Sequence, residues 1–289
     1  MERLGVLARS VTSPQPEPTD CSPQRMSRSP RFPPEIFERI STHVDSPLEL
    51  EALSLAGRVC LAGAQMVLYR NICYVIPAWE DWTTDLLTFL TEHSRVASYI
   101  RHFGLESHDL TQKAEVDLKI VTDILARLPG LVDFDMLCLT WTIPTSPPNL
   151  VQHPSLQILT MMGLDITDIT HSPLRLLELR PRWRKVEIEY LDCIDPKMSN
   201  PGLPPVEAGQ LTLTSYPFYV TDKVRPASYT SFTNVASLRA EYVTAHYADC
   251  LTRLVTSSAD TLQSLHFTLN PYEPCESIFQ HLERATRID

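Results

Sequence analysis

The stretch LVDFDM, residues 131–136, decides how the rest of the chain is read. Its apolar residues stand at 131, 134 and 136, and Asp133 and Asp135 flank Phe134. Successive side chains of a strand point to opposite faces, so Phe134 and Met136 share a buried face and the two carboxylates share the other. The same order recurs at Ile100/Phe103/Leu105, Leu156/Leu159/Met161, Leu174/Leu177/Leu179 and Leu262/Leu265/Phe267, with Asn270 after the last copy. Their starts lie 31, 25 and 18 residues apart and then 88, a loose period. Helical patterns over 113–128 (Val116, Ile120, Val121, Ile124, Leu128) and 244–258 (Ala248, Leu251, Leu254, Val255) fit between strands as outer elements. The Pro-rich stretch 196–226 reads as an insertion or an irregular turn region. Short apolar strands of an α/β domain without repeats are the alternative.

Upstream, residues 78–93 (AWEDWTTDLLTFLTEH) read as a helix whose Trp79, Trp82, Leu86 and Leu90 form a core stripe. Before it, FPPEIFERISTHV from Phe32 puts two prolines where a first helical turn tolerates them, and sets Ile36, Phe37 and Ile40 on one helical face. Asp45, Ser46 and Pro47 mark a break and a new helix carrying Leu50, Leu53 and Leu55. Gly57 interrupts, and a third amphipathic stretch from Arg58 brings Leu61, Ala64 and Leu68 together. Three helices in so few residues make a small core that needs a neighbour to complete its burial.

Residues 11–31 are rich in Pro and Ser and nearly free of large apolar side chains, so ordering them would bury too little surface to offset the lost entropy. The expected organisation is a disordered tail over 1–31, a helical module over 32–76 and an α/β region over 77–289. The chain closes on ERATRID, residues 283–289, inside a helical pattern, where a missing terminal cap is an expectation.

The formal net charge is −10, and the tail, with five Arg against Glu2, Glu17 and Asp20, is basic, so the body is more acidic still. An acidic body repels phosphate backbones, which argues against nucleic acid as a partner. No apolar run is long enough for a membrane span. Seven Cys stand singly without a CxxC pair, which suits reduced thiols in the cytoplasm or nucleus.

Motifs for catalysis are missing from the chain. Eight Gly leave no GxG or GxxxxGK[ST] loop for phosphate, and neither HExxH nor GxSxG occurs. His246 and Cys250 stand four apart on a helical pattern but lack a second ligand pair. Asp133 with Asp135 could share a proton or a cation, and as a solvated strand face they need neither. Glu187 with Glu189 reads the same way. The run Arg180–Arg184 around Trp183 reads as a loop with solvated charges and is the one basic, aromatic-containing candidate spot. No enzyme activity, cofactor or metal is expected.

Residues 32–72 resemble the F-box, the docking module of ubiquitin-ligase substrate receptors. The resemblance rests on Phe32, Pro33 and Glu35, then Ile36, Phe37 and Ile40, then Leu50 and Leu53 after an acidic-Pro break, then Arg58, and finally Leu68, Tyr69, Arg70 and Ile72. Gly57 and Cys60 depart from it, standing where family members commonly carry Cys and Trp. The recurring strand pattern is similar to the LxxLxL signature of leucine-rich repeats, and the two occur in the order used by leucine-rich-repeat F-box proteins.

The resemblance implies a three-helix F-box-like module followed by an irregular leucine-rich-repeat-like solenoid. It implies that Phe32, Pro33, Ile36, Phe37, Ile40, Leu50, Leu53 and Arg58 contact a Skp-type adaptor joined to a cullin ligase. The repeat region would then hold a protein substrate, whose identity one sequence does not name. A scaffold whose helical start only caps its own solenoid is the competing expectation.

Overall fold

A chain of paired backbones organises the structure, a computed structural model that describes residues 34–77, 81–109, 111, 113–166, 172–189, 192–193, 205–214, 232–243, 245–269 and 271. The expected tail with Phe32 and Pro33, together with Trp79 and Asn270, lies outside the described residues. From Pro34 the chain makes α1 (Pro34–Ser41), α2 (Pro47–Ala56), α3 (Arg58–Leu68), β1 (Asn71–Ile76), α4 (Trp82–Glu92), α5 (Ser94–Ala97) and β2 (His102–Ser107). Next come β3 (Glu115–Asp117), α6 (Leu118–Leu125), β4 (Asp133–Leu137), β5 (Thr140–Thr142), β6 (Ile158–Met162) and β7 (Asp165–Ile166). A 3-10 helix (Pro173–Leu179) leads to β8 (Arg182–Glu189) and β9 (Asp192–Cys193). The last described elements are β10 (Val206–Thr214), β11 (Phe232–Thr233), β12 (Ser237–Val243), α7 (Ala245–Ser257) and β13 (Ser264–Leu269).

The fold is mixed α/β with a mostly parallel sheet. The main sheet runs β1-β2-β4-β6-β8-β10-β12-β13 with β11 beside β10, and every pairing in it is parallel. Neighbours in the sheet are therefore successive long strands of the chain. A second sheet, β3-β5-β7-β9, is parallel too, and each of its strands follows one strand of the main sheet.

The register aligns Ile72, Phe103, Phe134, Leu159, Val186, Leu211, Leu238 and Leu265 in one line. Tyr74, Leu105, Met136, Met161, Ile188, Leu213, Ala240 and Phe267 form the next. Three residues before each member of the first line from Phe103 onward stand Ile100, Leu131, Leu156, Trp183, Ala208, Val235 and Leu262, whose numbers advance by 25 to 31. From β2 to β12 all three lines are buried, in one core shared with Trp82, Leu86 and Leu90 of α4, Val121 and Ile124 of α6, and Leu251 and Leu254 of α7. Removing such a continuous apolar layer from water is the main stabilising term of the fold.

Five strand entries, those of β2, β4, β6, β8 and β13, share one backbone pattern. The carbonyl of Arg70 accepts from the amides of Arg101 and His102, that of Arg101 from Val132 and Asp133, and that of Val132 from Gln157 and Ile158. Gln157 does so for Arg184 and Lys185, and Ala236 for Gln263 and Ser264. The exits repeat as well: Cys138 and Gly163 both have left-handed backbone, at φ 55° and 66°. Their amides donate to the carbonyls of Met162 and Glu189. A Cβ at position 163 would stand 3.2 Å from the Cys138 Sγ, so glycine suits both the conformation and the close approach.

Several expectations are corrected. Leu174–Leu179 is not a strand but the 3-10 helix, capped by the Ser172 hydroxyl accepting from the Leu174 amide at 3.2 Å. Apolar residues at i and i+3 suit a three-residue turn as well as the entry to a strand, which explains the confusion. The neighbouring strand is β8: Trp183, read as part of a charged loop, is buried, and its indole N–H donates to the Leu177 carbonyl at 3.3 Å. β10 lies inside the stretch read as an irregular insertion. The helix expected over 113–128 is shorter, because Glu115–Asp117 is β3 and Asp117 caps α6 by accepting from the Ile120 amide at 2.8 Å. In β13, Leu265 and Phe267 are 44% and 37% exposed although they were expected in the core. They continue the apolar lines past the last strand that is covered on that face.

At the other end, α1 and α2 both pack on α3. Gly63 makes the α1 crossing possible, since a Cβ there would stand 3.0 Å from the Glu38 backbone and the Phe37 carbonyl oxygen. β1 follows α3 after two residues, so the last part of the 32–76 segment is the edge strand of the main sheet. No helix among the described residues is long and apolar enough to cross a membrane.

Two outcomes follow from this packing. Leu211→Ala should cost about 2–5 kcal/mol and Thr212→Ala, on the opposite face, under about 0.5 kcal/mol, by urea denaturation. Equal effects would mean that β10 does not carry the apolar line. The second concerns His153, whose Nε2 lies 3.1 Å from the Leu128 carbonyl oxygen while Nδ1 is enclosed without a hydrogen-bond partner among the described residues. Burial holds its pKa below the ordinary histidine value. The unfolded chain therefore takes up the proton more readily, so the neutral ring's stabilisation is full above about pH 6.5 and is lost as pH falls below it. The urea midpoint should drop between pH 7.5 and 5.5, and His153→Gln should flatten that slope.

Candidate functional site

Two surfaces stand out among the described residues. The first is on the opening helices. Ile36 and Ile40, one turn apart on α1, are 44% and 47% exposed, and with Glu35, Arg39 and His43 they line a shallow groove. Leu48 and Leu55 of α2 are exposed as well. Phe37 and Leu53 are half-buried. Leu50 is 4% exposed, which makes it part of the helix packing rather than of an open face. The Arg58 side chain, like Phe32 and Pro33, is outside the described residues. Of the residues expected to contact an adaptor, Ile36 and Ile40 therefore present apolar surface together.

The second surface is the outward face of the main sheet. Because side chains alternate, the register that buries Phe134 and Met136 turns Asp133 and Asp135 outward together, as their spacing predicts. His102 of β2 lies across from them. Its Nδ1 is 3.3 Å from the Asp133 carboxylate and its Nε2 is 3.5 Å from that of Asp135. When protonated, this imidazole donates to one carboxylate on each side. The nitrogens and carboxylate oxygens of the three residues lie within 4.8 Å of one another, a donor set that also suits a borderline divalent cation. The other Asp133 oxygen, Oδ1, is enclosed without a hydrogen-bond partner among the described residues. Burial, together with the charges of Asp133 and Glu187, raises the pKa of Asp135 against the opposing pull of Thr160 and His102.

Two strands further on, Lys185 pairs with Glu187, and Glu189 stands beside Glu187 and Glu241. Burial and these like charges push the Glu189 carboxyl above its ordinary value. Between the two acidic groups, Leu137 and Met162 sit half-exposed in one register line with Glu106 and Glu189. None of Glu106, His102, Leu137 or Met162 stands out in the sequence. Only the pairing of strands distant in the chain brings them onto one face.

The basic spot at Arg180–Arg184 is largely committed within the chain. The Arg180 guanidinium donates to the carbonyls of Leu156 and, at 3.0 Å, Pro154, and Arg182 pairs with Glu207 at 3.2 Å. The side chains of His246 and Cys250 lie outside the described residues. Compared with models of protein families, with curated proteins and with solved structures, the chain matches none.

The Glu189 environment yields a stability outcome with a definite sign. Its folded pKa lies above the unfolded one, so the favourable protonated form is present at low pH and its stabilisation is lost as pH rises through the folded value. Glu189→Gln should therefore raise the melting temperature at pH 7, and the gain should shrink toward pH 4. A melting scan at the two pH values checks it.

Proposed function

We propose that this chain is a substrate-recruiting subunit of a Skp–cullin–F-box ubiquitin ligase. In this reading α1 to α3 are an F-box-like module that docks on a Skp-type adaptor. The recurring strands form a leucine-rich-repeat-like solenoid whose outward sheet face receives a protein substrate. The protein makes and breaks no covalent bond. It raises the effective concentration of the substrate beside a ubiquitin-conjugating enzyme held on the same cullin.

The observation that carries the reading is the pair Ile36 and Ile40, apolar, adjacent and exposed on a helix whose other side is packed on α3. Exposed apolar pairs next to polar rims suit docking surfaces. The competing scaffold reading asks the helices only to cap the sheet, and a cap would turn its apolar residues onto the first strand. With Leu48 and Leu55 also in solvent, the helices favour the docking reading. The departures at Gly57 and Cys60 leave less contact area than a Trp would supply, so a modest adaptor affinity is expected.

The test is co-purification with a Skp-type adaptor. The native chain should bind, and Ile36→Asp with Ile40→Asp should abolish binding while leaving the melting temperature within about 2 °C, since both side chains are exposed. Binding retained by the folded double variant would move the interface elsewhere. Failure of the native chain to bind would leave the capping scaffold as the better account.

A further inference from the structure

We infer that the outward face of the main sheet takes a basic, extended segment of its protein partner, with two cationic side chains flanking an apolar one. The inference rests on the proposed substrate face and specifies the chemistry that this face selects.

Among the described residues, the face carries the carboxylates of Glu106, Asp133, Asp135, Glu187, Glu189 and Glu241. Its cations are fewer and are already engaged. Lys185 pairs with Glu187 and Arg239 pairs with Glu241, while the His102 ring, a cation only when protonated, lies between Asp133 and Asp135. Lys113, near the rim, is held at 2.7 Å by Asp165 and at 2.9 Å by the Gly163 carbonyl. No ion pair among the described residues joins Glu106 or Glu189 to a cation. The Glu106 carboxylate faces the Cys73 thiol at 3.6 Å, and Glu189 faces other carboxylates. A face with a surplus of partly desolvated negative charge favours a positive partner and disfavours nucleic acid and acidic segments.

The register supplies the spacing. Glu106, Leu137, Met162 and Glu189 are paired in sequence on β2, β4, β6 and β8. Glu106 and Glu189 are thus three strand steps apart, roughly 14 Å at the usual separation of paired strands. An extended peptide crossing the strands advances about 3.3 Å per residue, so about four residues span that distance. In an extended chain residues i, i+2 and i+4 point to one side. A segment with Lys or Arg at i and i+4 and an apolar residue at i+2 therefore sets its charges over Glu106 and Glu189 and its centre over Leu137 and Met162. The aliphatic stems of the two cations lie along the same apolar strip.

The experiment uses the full chain and three labelled peptides identical except for a central KSLSK, QSLSQ or ESLSE, measured by fluorescence anisotropy at low and at physiological salt. KSLSK should bind about tenfold more tightly than QSLSQ, as two exposed ion pairs allow, and more weakly as salt rises, while ESLSE should not bind. Glu106→Gln with Glu189→Gln should erase the preference for KSLSK, whereas Glu92→Gln with Glu115→Gln, exposed and off this face, should leave it intact. Equal binding of the three peptides, or a preference for KSLSK that survives the Glu106/Glu189 change, would overturn the inference. Met162→Asp separates the two readings. If a neutral or acidic peptide binds best and this variant weakens it, the face is a peptide site of a different charge class. If no peptide binds, the inference fails, while adaptor co-purification reports separately on the ligase assignment.

Discussion

The structure depends on keeping three apolar lines in register across parallel strands. Strand side chains alternate with a period of two, so a slip of one residue in any strand would expose its apolar set and bury its charges. Shared carbonyls at the strand entries hold the register: a single oxygen, such as that of Arg101, accepts from two successive amides of the next turn. The left-handed exits at Cys138 and Gly163 then turn β4 and β6 at the same level toward the second sheet. Local backbone chemistry at both ends of the strands thus enforces an alignment that the burial of Phe103, Phe134 and Leu159 rewards.

The same constraint produces the outward face. Burying one set of alternate residues leaves the other set in parallel rows, whatever those residues are, and here they are mostly polar and acidic. The arrangement is electrostatically uncomfortable, with Asp135 and Glu189 both raised by burial and by neighbouring carboxylates. Folding alone gains little from it. At Arg180–Arg184, by contrast, cations hold the chain's own carbonyls and carboxylates together.

The ends of the sheet differ in kind. At the first strand the chain arrives from three helices that satisfy their own packing through Gly63 and Leu50 and leave Ile36 and Ile40 uncovered. At β13 the apolar lines continue into Leu265 and Phe267, which are exposed. Both ends therefore present apolar surface, one on a helix and the other on a strand. On the proposed reading the helical end is the adaptor's.

Much was legible from single residues. The triplets at Ile100, Leu131 and Leu156 are read correctly because each lies in a short, uninterrupted apolar alternation, and the common orientation of Asp133 and Asp135 follows from that alternation alone. The three opening helices are equally legible, since Ser46, Pro47 and Gly57 punctuate them. Leu174–Leu179 misleads because its spacing fits a 3-10 turn as well as a strand, and β8 is hidden by the arginines around Trp183, which is buried and donates to the Leu177 carbonyl of the preceding 3-10 helix. By itself, the sequence determined the faces of β2, β4 and β6, the breaks between the three opening helices and the acidic balance, because these arise from alternation, capping and composition within a few residues. Only the tertiary structure decided which carboxylates face which cations, that His102 sits between Asp133 and Asp135, and that Glu106 and Glu189 flank Leu137 and Met162. Those neighbours come from strands more than twenty residues apart, and their register is set by backbone pairing that no local pattern specifies.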